Sequence, residues 1–431
     1  MTSFISRTVR GTVGKNVVFL GISAAAKGIS SIVFILLAVR ALEPEETGEV
    51  ILAFLLTRIA LNVAGVGLAR YLARESAHDP EATNALTLDV QKLIFSLLPL
   101  GLALSLAVAV VDPQWGLAAA FIAVSAVFGS SQQSLGGTFL GRERTYLDSL
   151  AEMAGGVALV VGAVAVALME RGPTAYLAVV AASRVLASAV ALASFVRLFQ
   201  PVVSLAGASV TRAFRQGLPY MLNAGSSFVF LRADILLLGV ISGTHAVSIY
   251  GGVADPLVTM GATISIVNVA FLPSLVSAGG ERPRLAGRMI AVDLVCGVTL
   301  AIILAAVAEP VADRFFGGAE AESVDILRVL CFGLALRFVN NGLATWLTAA
   351  GHQWRRTAIA IAAGAFNLSV NLVAISIWGY WAAVWVTLGT ECLILGLSLL
   401  ALGTEMSTAG RTRGPEGVVL PVTEGYGIGP E

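Results

Sequence analysis

Apolar runs long enough to cross a bilayer constrain this chain more than any motif does. About twenty predominantly apolar residues span the hydrocarbon as a helix. Runs of that kind recur about twelve times, at 17–40, 49–69, 92–111, 115–138, 152–169, 174–196, 219–242, 248–275, 288–308, 326–349, 357–378 and 381–403. Inside lipid a segment must satisfy its own backbone polar groups, so each run reads as a helix. Composition agrees: of 431 residues, 13% are charged, where soluble domains carry about 25%. The 45 glycines suit membrane helices that pack closely. The chain therefore reads as an all-α polytopic membrane protein. The first run is too long for a signal-peptide core and has no convincing cleavage site, so it is expected to remain as a helix.

Formal net charge is zero, so bulk charge points to no partner, and no nucleic-acid partner is expected. Placement of charge says more. One set of loops and ends carries Arg7, Arg10, Lys15, Arg70, Arg74, Lys92, Arg142, Arg144, Arg197, Arg212, Arg215, Arg282, Arg284, Arg288, Arg355, Arg356, Arg411 and Arg413. The other set has only Arg40, Arg171, Arg314 and Arg328, beside acidic stretches such as "LEPEETGE". Cytoplasmic loops collect Lys and Arg, so both termini are expected in the cytoplasm. The end of the chain from Thr404 is rich in Gly and Pro with no face to bury, and reads as a disordered tail.

Cys296, Cys331 and Cys392 fall inside apolar runs without metal-ligand spacing, and are expected to be small buried hydrophobes. His78, His245 and His352 lie in loops or at helix ends, away from any cysteine or carboxylate at catalytic spacing. No catalytic residue and no metal site is expected, and a hydrolase is disfavoured.

Two internal echoes keep the same order. "SSIVF" at 30–34 resembles "SSFVF" at 226–230, and "FLGRERT" at 139–145 resembles "AAGHQWRRT" at 349–357. Together with a six-plus-six count they suggest two parallel six-helix lobes, 1–205 and 206–403, followed by the tail 404–431. Transporters built from repeats place their substrate site between the repeats, near mid-membrane.

Charges inside the runs need a reason, because a lysine at the centre of a membrane helix costs roughly 2.5–3.5 kcal/mol on insertion scales. Residues three, four, seven and eleven apart share a helix face. Lys27 then belongs to a stripe with Asn16, Ser23, Ser30 and Ser31, and Arg58 aligns with Asn62. Arg184 has Ser188 one turn away, Arg337 aligns with Asn340 and Asn341, and Asp234 with Asn223 and Ser227. Such company reads as the lining of a hydrated cavity; helix-to-helix charge pairing is the competing reading. The first lobe holds Lys27, Arg58 and Arg184 and no equally deep acid, since Asp89 and Glu152 fall near cytoplasmic ends. The second holds Arg232 and Arg337 with Asp234, Asp255, Asp293 and Glu391. Lys27, Arg58, Arg184 and Arg337 are thus candidates for a phosphate-bearing headgroup. Arg232, Asp234, Asp255 and Glu391 are candidates for charge pairing or for a coupling proton or sodium ion; no other cofactor is expected. Arg232 and Asp234 point about 160° apart on a regular helix and cannot simply pair with each other. Pro256 lies inside the eighth run, where it can kink a helix.

The stretches "VRALEPEETGEV", "LRADILLLGVISGTHAVSIYG", "FLPSL", "FFGGAEAESVDILRVLCFGLALRFVNNGLATWLTAAGHQWRRT" and "FNLSVNLVAI" together resemble the polysaccharide-export, or lipid-linked oligosaccharide flippase, family. That family belongs to the multidrug/oligosaccharidyl-lipid/polysaccharide (MOP) superfamily, and the resemblance covers about residues 12–403. It implies two six-helix lobes in a V around a cationic cavity. It also implies translocation of polyprenyl-(pyro)phosphate-linked oligosaccharide across a bacterial plasma membrane by alternating access. A glycan polymerase or glycosyltransferases are the implied partners. In the related lipid II flippases, arginines on the first, second and eighth helices matter; Lys27 and Arg58 match the first two, whereas the eighth helix offers Asp255. Those flippases usually have two further helices, for which this chain has no room. The rival readings are a multidrug antiporter of the same superfamily and a non-transporting subunit of a glycan assembly complex.

Overall fold

The computed structural model describes residues 12–78, 83–200, 210–277, 281–310 and 321–411, and these are nearly all helical. The long helices are α1 (Thr12–Ala41), α2 (Pro44–Ala60) and α3 (Gly67–His78), α4 (Thr83–Val111), α5 (Pro113–Gly141), α6 (Thr145–Leu168), α7 (Pro173–Phe199), α8 (Val210–Leu231), α9 (Ala233–Ile241), α10 (Gly243–Ser277), α11 (Arg282–Ala306), α12 (Ala321–Ala349), α13 (Gln353–Trp378) and α14 (Tyr380–Arg411). Each expected apolar run falls on helix. Nine helices among the described residues are long and apolar enough to cross a membrane.

Three departures from the expected helices matter. Between α2 and α3 the chain forms a wide π-helical segment, Leu61–Val66. The seventh run is divided at Arg232, where the backbone leaves helical geometry between α8 and α9. Pro256 lies within α10, which runs without a break from Gly243 to Ser277. At the other end α14 continues past Thr404 to Arg411, into the stretch expected to be disordered. Residues 412–431, the 205–206 lobe boundary, and Arg7, Arg10, Arg314 and Arg413 lie outside the described residues.

Helix ends follow local chemistry. Asp112 precedes α5 and its carboxylate accepts from the backbone N–H of Gln114 and Trp115 at 2.9 and 3.2 Å, the usual N-cap arrangement. Proline stands at the start of α2, α5 and α7, where its missing N–H costs nothing. The stop at Gly351 needs φ = +83°, a conformation in which only glycine escapes a Cβ clash. Its N–H bonds to Thr348 and that of His352 to Leu347. The loop at 142–144 uses the same bond pattern, but so does Met169–Arg171, so the pattern marks a common helix stop and not the repeat.

Outward faces are apolar and inward faces are not. On α4, Leu100, Leu104, Leu106, Val110 and Val111 are exposed, as a lipid-facing surface requires. Between α4, α5 and α7, Gln91 donates to Ser134 (2.8 Å), Ser131 donates to Gln91 (2.6 Å) and Ser188 donates to Ser131 (3.0 Å), all buried. Small and polar side chains hold membrane helices together because apolar ones gain nothing over lipid. The cysteines show the same inversion. Cys331 is buried, but Cys296 and Cys392 are exposed, correcting the expectation that all three are interior. Lipid is as acceptable a surrounding for a thiol as a packed core.

Within the first half α1 packs on α6, α4 on α5, and α5 and α6 on α7; within the second α10 and α11 pack on α12, and α12 and α13 on α14. The halves meet where α1 and α2 lie against α10, and where the π segment and α3 lie against α8. Glycine makes that seam tight. A Cβ on Gly48 would fall 1.9 Å from the Thr244 carbonyl oxygen, and one on Gly67 would fall 2.5 Å from Met221 Cα and 2.7 Å from its nitrogen. These are backbone atoms, which cannot rotate aside. Gly67→Ala is therefore expected to lower stability by about 1–3 kcal/mol, the usual cost of overpacking. Thermal unfolding in detergent reads this, and a curve matching the parent would refute so close an approach.

Candidate functional site

The charged residues gather into three groups, each built from helices distant in sequence. In the first half, Glu152 of α6 is buried and faces two cations: Lys27 Nζ of α1 at 3.5 Å and Arg184 Nη1 of α7 at 3.7 Å. One turn earlier on α6, Asp148 accepts from Ser23 Oγ (3.2 Å) and Gln132 Nε2 (2.9 Å). This corrects the expectation of a first half without deep acids. Glu152 begins an apolar run in the sequence, but α6 starts at Thr145, which sets Glu152 about two turns inside. Asp148 was not among the candidates; its four-residue spacing from Glu152, which puts both on one face, was the available signal.

The second group spans the seam. Arg58 of α2 donates from Nη1 to both carboxylate oxygens of Asp255 on α10, at 2.9 and 2.8 Å. Arg232, at the break between α8 and α9, pairs with the same carboxylate. Asp255 thus serves one guanidinium from each half. The break orients Arg232: freed from helical phase with Asp234, it turns to α10. The Arg58 guanidinium also sits 5.8 and 5.7 Å from the ring centroids of Phe54 and Phe228, within cation–π range.

The third group lies within the second half. Arg337 of α12 donates from Nε to Glu391 of α14 at 2.7 Å, and Asn340 Nδ2 donates to the same carboxylate at 2.9 Å. Nearby, Asp234 accepts a 2.5 Å hydrogen bond from the Tyr250 hydroxyl and a longer one from Thr387, at 3.4 Å. Tyr250, Thr387, Arg337 and Glu391 help line a cavity of about 30 Å³, more than the roughly 10–15 Å³ that a water molecule needs.

The remaining candidates are placed as follows. Ser23, Ser30 and Ser31 are buried in this conformation, with Ser30 donating to the Lys27 carbonyl at 3.2 Å. Asn62 donates to the Arg58 carbonyl (2.8 Å), and Asn341 to that of Gly261 (3.4 Å). The side chains of Asn16, Asn223 and Ser227 lie outside those described. Lys27 and Arg184 come together on Glu152, whereas Arg58 and Arg337 each belong to another group. Every one of these four cations has a carboxylate within 4 Å.

Exposure differs among the four. The side chain of Lys27 is 42% exposed, those of Arg58 and Arg337 are 22% and 19% exposed, and Arg184 is buried. A cation at such a place can exchange its carboxylate for an anionic ligand without crossing a packed core. Among the described residues no three His, Cys, Asp or Glu side chains converge as metal ligands would. Chemically, a part-exposed cation held by an internal carboxylate is a group able to bind and release an anion.

The sequence profile of the family described as polysaccharide biosynthesis protein matches residues 13–278. No curated protein matches. Among solved structures, the lipid II flippase MurJ in an inward closed conformation is similar with a TM-score of 0.70 at 11% identity, covering 90% of this chain and 87% of that one. A multidrug resistance MATE family transporter of the MOP superfamily, outward-facing, is similar with a TM-score of 0.67 at 15% identity, covering 93% and 98%. A MOP superfamily transporter from Pyrococcus furiosus, described by a reverse polarity of its binding pocket that suggests a different function, is similar with a TM-score of 0.64 at 14% identity, covering 95% and 98%.

Proposed function

The chain belongs to the polysaccharide biosynthesis protein family and has the fold of MOP superfamily transporters, and from that premise we propose that it is a flippase for polyprenyl-(pyro)phosphate-linked oligosaccharide. The headgroup enters between two six-helix lobes, with both termini in the cytoplasm of a bacterium and the lipid tail left in the bilayer. Lys27 and Arg58 take the phosphate groups as Glu152 and Asp255 let go. Rocking of the lobes then turns the cavity to the other face of the plasma membrane. Asp234, bonded by Tyr250 and Thr387 and with its second oxygen lacking a hydrogen-bond partner, is the candidate for a coupling proton or sodium ion.

The observation that carries this reading is the Arg58–Asp255 pair. It joins the two halves and engages a cation that is part exposed, and an anionic ligand at Arg58 would replace its acid. Charge-assisted hydrogen bonds are worth roughly 1.5–3 kcal/mol each. Losing both cations in Lys27→Ala with Arg58→Ala should thus reduce surface polysaccharide by about a hundredfold or more at unchanged protein level. Normal display by that variant would reject the role. One observation favours a second reading, a multidrug antiporter: Glu152 and Asp148 match Lys27 and Arg184, and Glu391 matches Arg337, one acid for each cation. A deletion strain made sensitive to cationic drugs, with its surface polymer intact, would select that reading.

A further inference from the structure

Asp293 of α11 is buried completely, with 0% of its surface exposed, and among the described residues it is in no ion pair. Asn268 of α10, 1% exposed, stands next to its carboxyl group. Neither carboxyl oxygen has a hydrogen bond of good geometry, and neither does either polar atom of the Asn268 amide. From α12 Gly342 packs so close that a Cβ there would lie 2.4 Å from Asp293 Oδ2 and 3.1 Å from Ile290 Cγ1 of α11.

The charged groups on these three helices are engaged elsewhere or face away. On α10 Asp255 holds Arg58 and Arg232; on α12 Arg337 holds Glu391 and Arg328 holds Glu309; on α11 Arg288 is exposed. An ionised carboxylate here would be a buried charge with no compensation, which proteins avoid by neutralising the group. A neutral carboxylic acid has one donor and one free acceptor, and an amide side chain likewise offers both. A proton on Asp293 would let the two close a two-point ring that is not formed in this structure: the acid O–H to Asn268 Oδ1, and Asn268 Nδ2–H to the acid carbonyl.

We propose that Asp293 and Asn268 form a proton-binding site in the second half, separate from the three ion-paired groups. The bound species is a proton on one Asp293 oxygen, shared with the Asn268 carbonyl; Gly342 is the residue that leaves room for it. Nothing in this depends on what the protein transports.

Infrared spectroscopy of the purified full chain, with carbon-13 in the aspartate carboxyls, tests it at neutral pH. The parent protein should show a protonated-carboxyl C=O absorption that disappears in Asp293→Asn. In Asn268→Ala the absorption should move to higher frequency, because the carbonyl loses its hydrogen-bond donor. A parent spectrum without the absorption, or its persistence in Asp293→Asn, would overturn the proposal. Should Asp293→Asn fail to fold, Asn268→Ala decides alone, and an unshifted band overturns the assignment. Loss of the band on adding sodium chloride at fixed pH also overturns it, in favour of a metal cation.

Discussion

Asp255→Ala should cost about 3–5 kcal/mol of stability, the range for removing one partner of a buried ion pair. The loss does not come from the aspartate's own attraction alone. Its removal strands two guanidinium groups, Arg58 from the first half and the fully interior Arg232 from the second. Arg58 retains the faces of Phe54 and Phe228 and partial access to solvent, so the larger share falls on Arg232. Denaturant unfolding of the purified protein measures the total. The companion variant Asp255→Ala with Arg232→Met should regain much of it, because no charge is then left buried without a partner. If the single variant unfolds where the parent does, the bridging carboxylate is not structural, and the seam is held by its glycine contacts alone.

Glu391→Ala is expected to have an effect of similar size, again about 3–5 kcal/mol, but confined to the second half. It strands Arg337 and removes an acceptor that Asn340 also uses. The two variants separate when scored for how the halves sit. Thiol labelling of cysteines placed along α1 and α2 should change in Asp255→Ala and stay as in the parent for Glu391→Ala. A double-mutant cycle with Arg337→Met should return a coupling of more than about 1 kcal/mol, since contacting residues in one network do not add. Additive losses would mean the pair is incidental to stability.

The helices were legible because lipid leaves few options: a run of apolar residues has to become a closed hydrogen-bonded rod. Pairing was harder to read. The face of Lys27 is evident from the serines around it, yet that it meets Glu152 depends on how α1 is rotated against α6, and nothing local records that. Glu152 was misplaced for a definable reason. Hydropathy ends a run at the first charged residue, whereas the helix continues as long as its buried face has partners, here back to Thr145. Arg232, a charge-pairing candidate held apart from Asp234, meets Asp255 of α10, and what escaped was the break beside it. The angular relation of Arg232 to Asp234 was reckoned on an unbroken helix, and the break falls on Arg232 itself. Proline is the usual flag for such an interruption, and none stands beside Arg232.

The wide segment Leu61–Val66 has a consequence for how one rod can follow two partners. Each extra residue in a coil of 3.6 per turn advances the azimuth by about 100°. The portion from Pro44 keeps one flank on α10, while beyond the segment it is a different flank, carrying Gly67, Leu68 and Tyr71, that meets α8. The carbonyl of Arg58, at the entry to this slackened coil, is capped by the Asn62 amide. A surplus residue here thus works as a phase adjuster, matching an otherwise continuous strut to a neighbour that is itself interrupted at Arg232.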